Sequence, residues 1–422
     1  MSSLTEVGSF GQQYHYLLLA AVAVAALGFV YSPIVRIAPN EVDVTEVAAV
    51  KHIHTVKATY LKSPFYKDIS APGVQNVFNT PDIHFHRRHR RLLQAPFSDA
   101  SLQIFQPAIE KRVRMAIQRM AEETKTRGTA DVFKWWLFMA TDIIGELSFG
   151  ESFRTLEQGK GFPVPGFKEN TDLTRSLRRY AIESLDRYKK LVEENPDKPL
   201  PTLFTRLFKG EEGEALTFKE IVDEAQTYII AGTDTTAITL TYVVWRVCQS
   251  PKIQQRLVEE LRQLPDDFKD HDAMKLPYLS QVIEESLRLH GAAPSGLPRM
   301  VPPEGATLAG QYLPGGSVVC TQAWSLHRNE DIFPDPERFD PDRWAVPTKL
   351  MKDASMPFGG GSRICLGLHL ARMELRLGVA HFFRTFPNSK MSALEGMTDD
   401  DMEQITYFLA PPKNKRCLIE CL

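Results

Sequence analysis

A mainly α-helical chain with small β-sheets is what three features of these 422 residues predict. Thr217-Phe-Lys-Glu220 forms a capping box, and the apolar pattern behind it continues to Ser250, where Pro251 stops it. A helix of about 33 residues would span about 50 Å. Other stretches of helical periodicity outnumber the strand signals, which are confined to residues 34–44 and to a Pro-, Gly- and Val-rich stretch, 294–321.

From the amino terminus, residues 1–13 read as a tail. Within 14–31, the run Tyr16 to Tyr31 is uninterruptedly apolar and is preceded by no Lys or Arg. It reads as a membrane anchor helix, although sixteen residues fall just under the usual span of about 17–25. Positive charge follows it at Arg36 and Lys51, which predicts a single-pass endoplasmic-reticulum protein with its body, 32–422, facing the cytosol. Strands are expected in 34–44. Helices are expected at 105–124, at 130–149 (strongly apolar) and at 177–194 (amphipathic, with one charged face). Beyond the long helix, 254–264 and 279–290 are helical, 294–321 forms short strands and turns, and 334–344 is a proline-marked irregular segment. A last helix is expected over 366–383.

Hydrophobic content of 43% and charged content of 24% are those of an ordinary globular protein, and a net charge of −2 gives no reason to expect a nucleic-acid partner. Five scattered cysteines, an odd number, do not make a disulfide framework. No Asn-x-Ser/Thr acceptor occurs, and no P-loop or dinucleotide fingerprint.

Residues 358–367, Phe-Gly-Gly-Gly-Ser-Arg-Ile-Cys-Leu-Gly, carry the most chemistry. One cysteine, Cys365, sits in a glycine-rich loop directly before a helix. The helix N-terminus and Arg363 should both lower its thiol pKa, and the glycines let backbone approach a flat ligand. Upstream, Ala231-Gly-Thr-Asp-Thr-Thr236 places a polar cluster inside an apolar helix. Ser and Thr can bond back to the i−4 carbonyl and bend a helix there, and an acid beside an alcohol can relay protons. Glu285 and Arg288 share a helix face at i,i+3. His86-Arg-Arg-His-Arg-Arg91 is a dense basic run that reads either as a solvated helix face or as a site for carboxylates and an acidic protein. Trp135-Trp136, His327 and His369 read as packing or structural residues.

The pattern F-x-x-G-x-R-x-C-x-G, with Phe358, Gly361, Arg363, Cys365 and Gly367 in register, resembles the haem loop of the cytochrome P450 superfamily, and the resemblance extends from about Pro33 to the carboxyl terminus. It is nearest to membrane-bound fungal monooxygenases of secondary metabolism. It implies a fold holding haem b between the long central helix and the cysteine loop, with Cys365 as the axial thiolate ligand to iron. The match assigns Asp234 as the acid and Thr235 as the alcohol of a proton relay. His86 and Arg90 stand where the family has W-x-x-x-R, and with Arg299 they become candidate partners of the haem propionates. Glu285, Arg288 and Arg338 match the family's structural triad. The implied activity inserts one oxygen atom of O2 into an apolar substrate, a secondary-metabolite intermediate, with electrons from NADPH through a separate NADPH–cytochrome P450 reductase. Two stretches are shorter than the family norm, near residue 32 and over 153–165. That shortening keeps a non-catalytic haem-binding remnant as an alternative, beside a reductase-independent peroxygenase or rearranging enzyme.

Overall fold

The computed structural model describes residues 33–57, 59–160, 171–194, 200–208 and 216–422. Among them are eight helices of eleven residues or more: α1 (Ile83–Leu93), α2 (Gln106–Arg127), α3 (Val132–Phe149), α4 (Thr171–Glu194), α5 (Phe218–Cys248), α6 (Pro251–Leu261), α7 (Pro277–His290) and α8 (Leu368–Thr385). The tail and anchor expected at 1–13 and 14–31 lie outside the described residues, as does 161–165 of the short connection after α3.

Helix α5 is the axis of the molecule. Thr217 Oγ1 accepts from Glu220 N at 3.2 Å while the Glu220 carboxylate accepts from Thr217 N at 2.7 Å, which is the expected capping box. The helix is long and largely buried because α3, α4, α7 and α8 cover it on several sides. Gly232 permits a close approach, since a Cβ there would stand 2.9 Å from Ile144 Cγ1 of α3.

Three elements start elsewhere than the periodicity predicts. Ala130–Asp131 is a strand, β4, because it pairs with the C-terminal strand β10 (Leu418–Glu420); Asp131 then caps α3 through Lys134 N. Pro251 ends α5 and also opens α6, where its missing N–H is no loss. Helix α4 is described from Thr171, so it already runs six residues before the expected start.

The strands form a five-stranded sheet in the order β1-β2-β8-β5-β3, where β1 is Ile34–Ala38, β2 Glu41–Val44, β3 Leu61–Lys62, β5 Arg299–Met300 and β8 Val318–Cys320. Strands β2 and β8 run parallel and the other pairs antiparallel. A hairpin joins β6 (Ala306–Leu308) to β7 (Gln311–Leu313), and β4 and β9 (Lys390–Met391) flank β10.

The membrane localisation is corrected. No helix among the described residues is long and apolar enough to cross a membrane. The strongly apolar α3 carries Lys134, Asp142 and Glu146 within its 18 residues, too many charges for a spanning segment. The single-pass endoplasmic-reticulum assignment is therefore withdrawn.

Candidate active site

The cysteine loop is folded against two neighbours. Gly361 has φ +60°, and a Cβ there would lie 2.0 Å from the His54 carbonyl, so only glycine fits against the segment after helix Val47–Ile53. Cys365 N donates to Phe358 O at 2.9 Å, Arg90 Nη1 to Ile364 O at 2.5 Å and Arg363 Nη1 to Thr80 O at 2.9 Å. Gly367 is the N-cap of α8.

Cys365 keeps accessible surface although protein atoms crowd around it, as a residue facing a cleft does. Burial raises its thiol pKa, while the Gly367 N–H and the Arg90 guanidinium pull it back in part. This corrects the expectation of a thiol lowered by Arg363. That guanidinium is turned to Thr80, and the cation acting on the sulfur is Arg90. Coordination to a metal deprotonates a thiol outright, so the ligand role needs no lowered thiol in the free chain.

Helices α5 and α8 run side by side in parallel. Thr236 Oγ1 donates to Glu374 Oε2 at 2.8 Å, and a Cβ on Gly378 would meet Leu240 Cδ2 at 2.8 Å, a step of four residues along both helices. Continuing that register back one turn sets the Ala231–Thr235 turn beside the start of α8. Phe97 reaches both sides, with its ring 5.4 Å from Tyr228 and its edge 4.0 Å from where a Gly367 Cβ would stand. Ala231 is exposed although Tyr228, Ile229, Thr233 and Thr236 around it are buried. It is thus an accessible point on an otherwise buried turn, beside the start of α8.

In this turn Thr235 Oγ1 donates to Ala231 O at 2.7 Å, the i−4 bond its residue type suggested, and helical hydrogen bonding continues past it. Burial pushes the Asp234 carboxyl up to about 6, with Lys415 opposing. Glu374 is buried more completely, and its carboxyl is pushed up to about 8 in spite of the Thr236 bond.

Cations converge on one edge of the cleft. Lys62, Arg299 and His86 are buried, and Arg90 and Arg363 half-buried. His86 is pushed down to about 3 by burial and by Arg363, Arg90 and Lys62, so it is a neutral imidazole at neutral pH. Arg363 is pushed down to about 10 by burial and by Arg299, with Arg90 adding to it. Among the described residues, no carboxylate is within 4 Å of Lys62, Arg90, Arg299 or Arg363; their hydrogen bonds go to neutral acceptors, Phe78 O, Ile364 O, Tyr66 Oη with Pro298 O, and Thr80 O.

Glu285 is the counterexample. Its two oxygens accept from Arg288 Nε and Nη2 at 2.8 Å each, Arg343 Nε at 3.0 Å, Trp344 Nε1 at 2.9 Å and Asp340 N at 2.9 Å. The third member of the triad is therefore Arg343, not Arg338. The Arg338 side chain points outward to Asp340 at 3.1 Å, and only its carbonyl accepts from Arg288, at 3.3 Å. Nothing in the spacing of 334–344 separates these two arginines. Sequence reasoning also missed Lys62, which sits in a two-residue strand with no periodic signal, and Glu374. The latter had one: it shares a helix face with the buried Leu370, Met373 and Leu377.

A family model described as Cytochrome P450 matches residues 25–175 and 160–418. The chain is 47% identical over 421 residues to "Cytochrome P450 monooxygenase tazI" of Aspergillus terreus, covering 92% of this chain and 86% of that one. It is 40% identical to "Cytochrome P450 monooxygenase azaI" of Aspergillus niger, covering 96% of each, and 34% identical to "Cytochrome P450 monooxygenase aflV" of Aspergillus parasiticus, covering 92% and 84%. The family's cofactor is haem b on a cysteine thiolate. The residues present fit that group: a single accessible sulfur facing the cleft, glycines where the loop folds tightly, and buried cations without carboxylates at the edge where two propionates would lie. This chain belongs to the cytochrome P450 family and is a monooxygenase-type oxidoreductase.

Proposed function

We propose that the chain inserts one oxygen atom of O2 into an apolar organic substrate of secondary metabolism, with NADPH as reductant through a separate NADPH–cytochrome P450 reductase. In balance, substrate R–H, O2, NADPH and one proton give R–OH, water and NADP+. When bound, the haem iron supplies the activation of O2.

The observation that carries the reading is the accessible sulfur of Cys365 just before α8, together with the accessible Ala231 on the turn of α5 that the α5–α8 register sets beside the start of α8. Cys365 would hold the cofactor as its thiolate ligand. Arg90 and the Gly367 N–H temper the charge on the sulfur. Phe358, Gly361 and Gly367 shape the loop, while Arg299, Arg363, Arg90 and the neutral His86 would orient the cofactor by its carboxylates.

Asp234 holds the proton. With its carboxyl near 6 it exists in both forms around neutral pH, which suits a group that takes up a proton and passes it on. Lys415, the opposing charge, is exposed, so Asp234 is in electrostatic contact with the surface. Thr235 keeps lone pairs free for a donor while its hydroxyl rests on Ala231 O. An apolar substrate suits the ring cluster Phe65, Phe78 and Phe408, in which Phe78 and Phe408 lie 5.6 Å apart and Phe65 and Phe408 6.5 Å apart. Ser295 Oγ fastens this cluster by donating to Tyr407 O and Phe408 O at 3.1 and 3.0 Å.

The test is Thr235→Ala with NADPH and reductase. The variant should keep its haem spectrum and divert electrons to hydrogen peroxide. Coupling equal to wild type removes Thr235 from the relay. Turnover of the wild type with hydrogen peroxide alone, as fast as with reductase, would favour a peroxygenase.

A further inference from the structure

We infer that Lys62 is a further partner of the haem carboxylates and that, with Arg363, it fastens segment 76–80 to the cofactor. Strands β3 and β5 pair antiparallel with Lys62 directly opposite Arg299, and both side chains are buried. Like charges facing each other across a sheet destabilise it, and burial sharpens the repulsion. Tyr66 lies between them. Its ring is 3.9 Å from the Lys62 ammonium and 5.4 Å from the Arg299 guanidinium, and its hydroxyl accepts from Arg299 Nη1 at 2.8 Å. Phe78 covers Lys62 at 4.3 Å from another side. Two aromatic faces and one backbone carbonyl are all that this ammonium has among the described residues.

A buried charge so placed requires an anion, and it stands opposite one of the cations assigned to the cofactor's carboxylates. Burial, Arg299 and Arg363 hold the Lys62 pKa well below that of a free lysine, so in the protein alone the ammonium is charged at a penalty. Two carboxylates offer about four acceptor sites each, enough for Lys62 as well as the arginines.

The same cations hold a loop. Lys62 donates to Phe78 O and Arg363 to Thr80 O. The other side of this segment is bound to α5, through Val77 N to Glu224 Oε1 at 2.8 Å and Asn76 Nδ2 to Thr227 Oγ1 at 2.7 Å. Segment 76–80, which carries Phe78 of the aromatic cluster, is thus strung between α5 and the cofactor's carboxylate edge.

This inference rests on the haem assignment, and its test separates the two. Lys62→Met keeps an unbranched, apolar side chain against Tyr66 and Phe78. In the haem-loaded protein it should lose haem to excess apomyoglobin roughly 30-fold faster than wild type. The reduced carbon monoxide band should stay in place because Cys365 is untouched, and amide exchange over 76–80 should quicken. The haem-free variant should be at least as stable as the haem-free wild type, and Lys62→Arg should restore retention. With haem dimethyl ester, whose carboxylates carry no charge, wild type and Lys62→Met should lose the cofactor at the same rate. Unchanged haem loss in Lys62→Met would overturn the inference. So would an equal acceleration with haem and with the dimethyl ester, which would reduce Lys62 to a packing residue. A wild type without the haem band would instead refute the cofactor assignment itself.

Discussion

Two buried clusters of charge in this molecule are built on opposite plans. Around Glu285, Arg288 and Arg343 meet a carboxylate whose acceptor sites are all taken, and Arg288 spends its remaining donors on the His327 and Pro336 carbonyls at 2.7 Å each. Around Lys62, Arg299, Arg363 and Arg90, cations gather with only neutral acceptors. A closed network holds a scaffold, here α7 against segment 334–344. An open one of a single sign is stable only with a ligand of the other sign. The difference separates structure from site without reference to any relative.

The closed cluster should break hardest. Glu285→Gln leaves two buried guanidiniums without a carboxylate, and losing one partner of a buried ion pair costs about 3–5 kcal/mol. The variant should fail to accumulate as folded protein, checked by the soluble yield and the melting transition. A mild loss would mean that the network is not closed as described.

In the cleft, Asp234→Asn should lower coupled turnover roughly 10²-fold with haem content unchanged, measured as product formed per NADPH consumed. Because the fold raises this carboxyl to about 6, the native state favours the protonated form. The wild type therefore loses stability as pH rises from 3.8 to about 6, and the asparagine variant should not show that slope.

Arginines 338 and 343 sharpen the comparison. Arg343→Ala removes a donor from buried Glu285 and should cost about 1–3 kcal/mol, whereas Arg338→Ala, at an exposed side chain, should stay within about 0.5 kcal/mol. Equal effects would return Arg338 to the triad. Glu374 sharpens the comparison through pH dependence rather than through a loss at one pH. Burial pushes its carboxyl from the ordinary 4.5 up to about 8, so the neutral acid is the native form at pH 7. Glu374→Gln should fold normally. Its stability relative to wild type should rise between pH 4.5 and 8 and then level off, as a melting series against pH would record.

How much of this the sequence carried depends on the range of the signal. The capping box at Thr217 and Glu220 and the apolar run behind it located α5 almost to its ends, because helix periodicity and caps are local. The decapeptide at Cys365 located the loop, because five residue types at fixed spacing leave little freedom. The β4 strand was hidden because its pairing partner is the far end of the chain. Lys62 was hidden because its meaning comes from Arg299, across a sheet and more than two hundred residues later. Arg343 could not be told from Arg338 because the turn between them decides which guanidinium faces inward. Arg363 was misjudged as the helper of Cys365 because sequence proximity is not direction: its side chain leaves toward Thr80, and Arg90, from another helix, takes that place.

The central claim is that the accessible Cys365 holds haem as a thiolate. The most direct measurement is the reduced carbon monoxide difference spectrum of the wild type and of Cys365→Ala. The account predicts a Soret band at about 450 nm, the wavelength in the family's name, in the wild type and its loss in the variant. A wild-type band shifted to shorter wavelength, or a variant spectrum identical to wild type, would contradict it.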